Sequence, residues 1–329
     1  MNKRLTLAFV LLFLFGSCDS SFDPRGPFLD RLVVYGVLTP TNQTHYVRIF
    51  STYNPPGLNP LDNTSSNQIS SAVVSLAFDT STFALRDTVV PRDDPGRYTD
   101  SVKAFVASPL SIVRGRTYSL TVNSPVYGIL TASTRVPGTG VMDIDIDSRY
   151  ALTTPSEARA DISIFVAPSP STEGHAVRVF VEYELPVANP GVILTEEIPL
   201  EITNYQDCTH FDAEYPHVRR RELVGGRELW TFRLENYRRA LIRILKIHEG
   251  VVIDFRRVYV ELVQADEHLY KYYSLVNGFQ DQFTIRVDQP NYTNINGGLG
   301  LFGSFASDTT IISSTLAPNF PNLTCTDPD

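Results

Sequence analysis

Arg116-Thr117-Tyr118-Ser119-Leu120-Thr121-Val122 and Ile129-Leu130-Thr131-Ala132-Ser133-Thr134-Arg135-Val136 are rich in β-branched and aromatic residues and read as two strands. Working outward, Leu32 to Leu38 (LVVYGVL), His45 to Phe50 (HYVRIF), Ala72 to Phe78 (AVVSLAF), Phe83 to Val90 and the short Gly96-Arg97-Tyr98 read the same way. Asn54 to Ser71 is rich in Pro, Asn and Ser and reads as a long surface loop. Short strands with turn signals every eight to twelve residues predict a β-sandwich of immunoglobulin or fibronectin type over 29–137. Pro137-Gly138-Thr139-Gly140 is the predicted boundary.

The second part, 138–329, reads as another mostly β domain with one or two helices. Strands are expected at Met142 to Asp147, Ala160 to Val166, Ala176 to Leu185, Ile193 to Ile202, Leu229 to Leu234 and Val258 to Val263. Glu235 to Lys246 carries Tyr237, Leu241, Ile244 and Leu245 at helical spacing. Asp266 to Phe279 does so with Leu269, Tyr272, Tyr273 and Val276, and Asp266 is the expected N-cap.

Composition agrees. With 329 residues the chain is long for one small domain, and 43% hydrophobic residues exclude general disorder. Pro (22) and Gly (19) are frequent and Met (2) is scarce, which favours strands and turns over helix bundles. A formal charge of −8 excludes a generally basic nucleic-acid binder. Three cysteines are too few for a disulfide-built scaffold.

Residues 1–17 place Lys3 and Arg4 ahead of an apolar run from Leu5 to Phe15 that is too short to span a bilayer. Gly16-Ser17-Cys18 then resembles a bacterial lipobox, so Cys18 is the expected acylated N-terminus and 18–28 a short tether. The mature chain would hold 26 basic and 36 acidic residues, a net of −10.

Chemical motifs are sparse. Gly298-Leu299-Gly300-Leu301-Phe302-Gly303 matches G-x-G-x-x-G, but a polar loop precedes it and strand-like sequence follows. Gly298, Gly300 and Gly303 are therefore expected to make a structural turn. Asp143, Asp145 and Asp147 would share one strand face without the later ligands of a calcium loop. Cys208 is expected to pair with Cys325, the alternatives being two free thiols or a metal role with His210 and His217. His248-Glu249 begins like a zincin motif but has Val252 at the second histidine position. No catalytic residues, metal site or cofactor is assigned. Between His217 and Arg257 eleven Lys/Arg face five Asp/Glu, a local +6 that leaves −16 for the remaining mature chain. Arg219, Arg220, Arg221, Arg238 and Arg239 form either a solvated face neutralised by nearby acids or a contact surface for lipid phosphates or an acidic partner.

The ordered features also resemble a family. They are the lipobox, VVYGVLTP, AVVSL, Gly96-Arg97-Tyr98, GRTYSL, TASTRVP, a tyrosine-rich segment (Leu269 to Tyr273) and NINGGLGLFG (294–303). The set is similar to the Bacteroidota lipoprotein family called domain of unknown function 4249. That resemblance implies an envelope lipoprotein, often associated with TonB-dependent uptake, and supplies no catalytic residues. The expectation is a non-enzymatic accessory or binding protein, lipid-anchored in the outer membrane. Its expected partner is a barrel transporter; a structural or adhesive surface protein is the alternative.

Overall fold

The structure is a computed structural model that describes residues 27–54, 67–69, 71–92, 100–145, 161–207, 209–221, 226–278 and 292–313. Parity decides its first layer. In β7 (Thr117–Ser124) Tyr118, Leu120 and Val122 are buried, and in β8 (Gly128–Arg135) Leu130, Ala132 and Thr134 are. Successive side chains of a strand point to opposite faces, so each strand offers one apolar face. With β3 (Val73–Phe78) and β4 (Ser81–Ala84) they form a four-stranded sheet, order β4-β3-β7-β8. It packs on β1 (Leu32–Leu38), β2 (His45–Ser51) and β6 (Ser101–Ala107), beside which β5 (Arg86–Pro91) is the edge strand. Val34, Val47, Ile49 and Phe105 meet Val74, Leu76, Tyr118 and Leu120 in one core. Each such enclosed side chain stabilises the fold by roughly 1.5–3 kcal/mol.

A second core lies further along. β9 (Val141–Ile144), β10 (Asp161–Ala167) and β16 (Glu228–Arg233) make a three-stranded sheet continued by helix α1 (Leu234–Ile247). α1 buries Tyr237, Ala240, Leu241 and Ile244, the three-and-four spacing of one helix face. These residues pack on Val177, Val179 and Val181 of β11 (Gly174–Leu185) and on Val258, Val260 and Leu262 of β17 (Asp254–Ala265). β12 (Asn189–Glu197) and the two-residue β15 (Arg219–Arg220) flank β11, while β13 (Glu201–Thr203) and β14 (Asp212–Glu214) form a separate ladder.

β18 (Leu299–Ser313) joins the halves. It pairs antiparallel with β17 and parallel with β1, giving a nine-stranded sheet with the path β12-β11-β17-β18-β1-β2-β6-β5. One sheet thus bridges the expected boundary at Pro137. Phe302 enters the first core and Ile312 the second, both from the same side of β18. The other side carries Leu301 and Phe305 against α2 (Glu267–Gly278).

A polar seam separates the cores. The Asp308 carboxylate accepts from the Gly140 N–H (2.9 Å), Gln264 Nε2 (2.8 Å) and Arg114 Nη1 (3.1 Å). Gln264 Oε1 accepts from the Ser169 N–H, and Nε2 donates to the Gly138 carbonyl at 3.2 Å. The boundary segment is therefore held from both sides.

The strand and helix expectations agree with the structure in large part, and four details differ. Phe83 to Val90 divides at buried Leu85, whose N–H bonds the Val74 carbonyl, so β4 and β5 enter different sheets. Ile193 to Ile202 divides around buried Ile198. Ser101–Ala107, with Phe105 and Ala107 buried, is a strand that the sequence reading passed over, as are the short Asp212–Glu214 and Arg219–Arg220. The glycine run opens the longest strand rather than forming only a turn.

Candidate functional site

The basic segment is divided between two places. Arg219 and Arg220 lie where β15 pairs with the start of β11, whereas Arg238 and Arg239 are on α1. β16 separates the two groups by roughly 15–20 Å of strand. The Arg219 guanidinium lies 3.6 Å from the Trp230 ring centroid and 3.9 Å from Glu228. Arg220 Nε donates to Glu173 at 2.9 Å, and Arg221 donates to the Ser169 carbonyl at 3.4 Å. On α1, Arg238 and Arg239 face Glu235 at 3.9 and 3.3 Å, with Arg239 also 4.4 Å from the Tyr205 ring centroid.

Acids from elsewhere in the chain complete the neutralisation. Glu196 faces Arg243 at 3.4 Å, Asp143 faces Arg227 at 2.7 Å, and Glu182 takes both forks of Arg257 at 2.6 and 2.8 Å. Each singled-out arginine is thus engaged within the body. Their charge is therefore neutralised largely by acids of the body itself.

Beside Arg219, His175 is completely buried with Nε2 2.8 Å from Glu228. Burial pushes the imidazole below its ordinary range against the pull of Glu228, and Arg219 and Arg221 push it the same way.

The glycine run is explained by close approach. Gly298 lies at a bend, while Gly300 and Gly303 lie inside β18. Gly300 has φ +112°, and a Cβ there would stand 2.0 Å from the Val34 carbonyl oxygen. A Cβ on Gly303 would meet Leu269 at 3.1 Å, at the start of α2. There Asp266 caps the helix through the Leu269 N–H (2.9 Å) and also accepts from Thr134 Oγ1 (2.6 Å) and the Ser304 N–H (3.1 Å). Burial pushes this carboxyl up, with the donors opposing.

Other candidates are not assembled as ligand sets. His217 pairs with Glu214 at 3.1 Å, and His248 Nε2 faces the Tyr183 hydroxyl at 3.3 Å. Four donors hold Asp207, the N–H and hydroxyl of Thr209 and the N–H and ring Nδ1 of His210, and they keep its carboxyl well below the usual range. Among the described residues no group of three His, Cys, Asp or Glu gathers that could hold a metal ion. Cys18, Cys208, Cys325 and Asp147, the strand expected at Gly96-Arg97-Tyr98 and most of the loop expected from Asn54 to Ser71 lie outside the described residues.

A different feature stands out at the end of the molecule where β11 turns into β12 and α1 into β17. Ile193 pairs with Glu184, and Glu184 with Asp254, so the two connections share one end. Val187, Val192, Ile193, Leu245, Ile247, Val251 and Val252 are all exposed there, Val187 by 77% and Val252 by 61%. Ile193 shares the strand face of Glu184, opposite the Tyr183 face that packs with α1. These exposed aliphatics are thus spread over both faces of the sheet at this end, and exposed apolar surface marks contact surfaces. The sequence signal was the apolar triplet Val251-Val252-Ile253 directly after Gly250, where a connection is ordinarily polar.

No curated protein matches the sequence. A family described as a domain of unknown function (DUF4249) matches residues 20–311, nearly the whole chain. Both lobes, all but the last two residues of the joining strand, and every resembling sequence feature except the lipobox fall within that match, and the chain belongs to the DUF4249 family.

Proposed function

We propose that the protein is an outer-membrane lipoprotein, anchored through acyl chains on Cys18, that acts as a non-enzymatic accessory binding protein. Its partner is proposed to be a barrel transporter of a TonB-dependent uptake system. The observation that carries the binding role is the aliphatic surface around Val187, Ile193 and Val252. β18 runs from the Leu32 end of β1 to the Val258 end of β17, so fifteen residues of strand, roughly 45 Å, separate the chain's entry from that surface. A body tethered near residue 27 can therefore hold it away from the anchoring membrane. The seam at Asp308 supports the reading because it fixes one lobe against the other, so binding at one end costs little ordering.

Two measurements test this. Labelling with a palmitate analogue should mark wild type and fail on Cys18→Ser; equal labelling of both removes the anchor. Cross-linking pull-down from native membranes should enrich a barrel over an unrelated lipoprotein control. Without that enrichment, a structural or adhesive surface role becomes the better reading.

A further inference from the structure

The end at which the chain enters the body carries its own apolar surface. Phe28, Leu29, Val73, Val126 and Ile129 are exposed by 47%, 65%, 67%, 77% and 66%. They come from three separate parts of the chain. Phe28 and Leu29 immediately precede β1, Val73 opens β3, and Val126 and Ile129 belong to the β7–β8 turn and the start of β8. Val73 and Ile129 both pair with Asn123, so they flank it on the outward face of the four-stranded sheet. The Tyr127 hydroxyl donates to Asp30 Oδ2 at 2.6 Å and ties the turn to the entering segment. Asp30 also accepts from Thr52 Oγ1 at 3.1 Å, and the Arg31 N–H donates to the same hydroxyl at 2.9 Å.

We infer that this end rests in the headgroup layer of the anchoring membrane, with Leu29, Val126 and Ile129 directed into lipid. The inference rests on the proposed lipid anchor and adds the orientation of the body on it. The nine residues from Cys18 to Gly26 span at most roughly 30 Å, so the apolar end is held within that distance of the bilayer wherever the body points. Tethering supplies a high local concentration, which lets a contact too weak to hold a free protein persist. The chemistry selects lipid over an acidic or basic partner. Residues 28–31 and 123–129 hold only Asp30 and Arg31 as charges, which cancel, and apart from these and Asn123 the exposed side chains are apolar. Phe28 and Tyr127 suit the boundary between headgroups and acyl chains. Contact of this kind should be insensitive to lipid charge and to salt, unlike a polybasic patch.

The test uses the full acylated protein in phosphatidylcholine vesicles carrying brominated acyl chains, which quench nearby indoles. The native Trp230 is buried in the second lobe and gives a constant background. Val126→Trp and Val252→Trp place a reporter at the entry end and the far end, both at exposed positions that leave the fold intact by circular dichroism. Val126→Trp should be quenched several-fold more than Val252→Trp and shifted to the blue, with no change on adding phosphatidylglycerol or raising salt. Equal quenching at the two positions, with the protein floating with the vesicles, overturns the orientation and leaves the anchor standing. Failure to float overturns the anchor and the orientation with it. Quenching of Val126→Trp that disappears at high salt shows an electrostatic contact and also overturns the inference. So does shielding that arises only when a membrane extract supplies a protein partner.

Discussion

Gly300→Ala isolates the contact by which the last strand fastens the two lobes. Two costs combine at this position. A side chain at φ +112° is strained by about 1–3 kcal/mol. The added Cβ would also lie 2.0 Å from the Val34 oxygen, so β1 and β18 must separate by about an ångström, weakening ladder hydrogen bonds worth about 0.5–1.5 kcal/mol each. With two bonds affected, the loss is roughly 2–6 kcal/mol, a large share of a typical folding free energy. Gly115→Ala is the control, because φ is +74° there and nothing lies within 4 Å of the added carbon. It should cost only the strain, about 1–2 kcal/mol. Urea titration followed by circular dichroism and by the single Trp230 gives both losses. Because β18 contributes to both cores, the two probes should shift together in Gly300→Ala. A loss no larger than that of Gly115→Ala would refute the steric argument.

Asp308→Ala should leave Gln264, Arg114 and the Gly140 N–H short of an acceptor, at a cost of about 2–4 kcal/mol. Limited proteolysis with mass spectrometry should then find new cleavage near 137–140; an unchanged digestion pattern contradicts the role of the seam. For His175, the folded pKa lies below its ordinary 6.5, so the unfolded chain takes up the proton first. Stability from this group is complete above that value and lost as pH falls below it. The melting temperature should therefore drop from pH 7 toward 5, and drop less in His175→Asn; identical slopes would remove His175 as the cause. Thiol counting on the denatured, unreduced mature protein should find Cys208 and Cys325 blocked, and two reactive thiols would rule out the bridge.

Much of the strand content was legible because burial alternates along the chain, as in Tyr118, Leu120 and Val122. Helix α1 announced itself through the spacing of Tyr237, Leu241 and Ile244, and Asp266 through its position ahead of a periodic run. Ser101–Ala107 escaped notice because Lys103 interrupts its apolar character. The break at Leu85 carries no Gly or Pro; only the pairing of β4 with β3 and β5 with β6 reveals it. The glycine run displayed the need for small residues but not the partner, since Val34 is more than two hundred and sixty residues away. Likewise the +6 segment could not display its neutralisation, because Glu173, Glu182 and Glu196 arrive from β11, its approach and its neighbouring strand. Both apolar ends are assembled from distant segments, and only the far one left a sequence signal, the apolar triplet Val251-Val252-Ile253.

The most direct test of the account compares wild type with Ile193→Glu/Val252→Glu in a cross-linking pull-down from native membranes. Both positions are more than half exposed, so the variant should keep the wild-type melting temperature. The account predicts a barrel transporter enriched with wild type and lost with the double variant, at equal membrane levels of the two proteins. Equal recovery of the barrel by both proteins would contradict the assignment of the far end as the binding surface, and no barrel with either would contradict the accessory role itself.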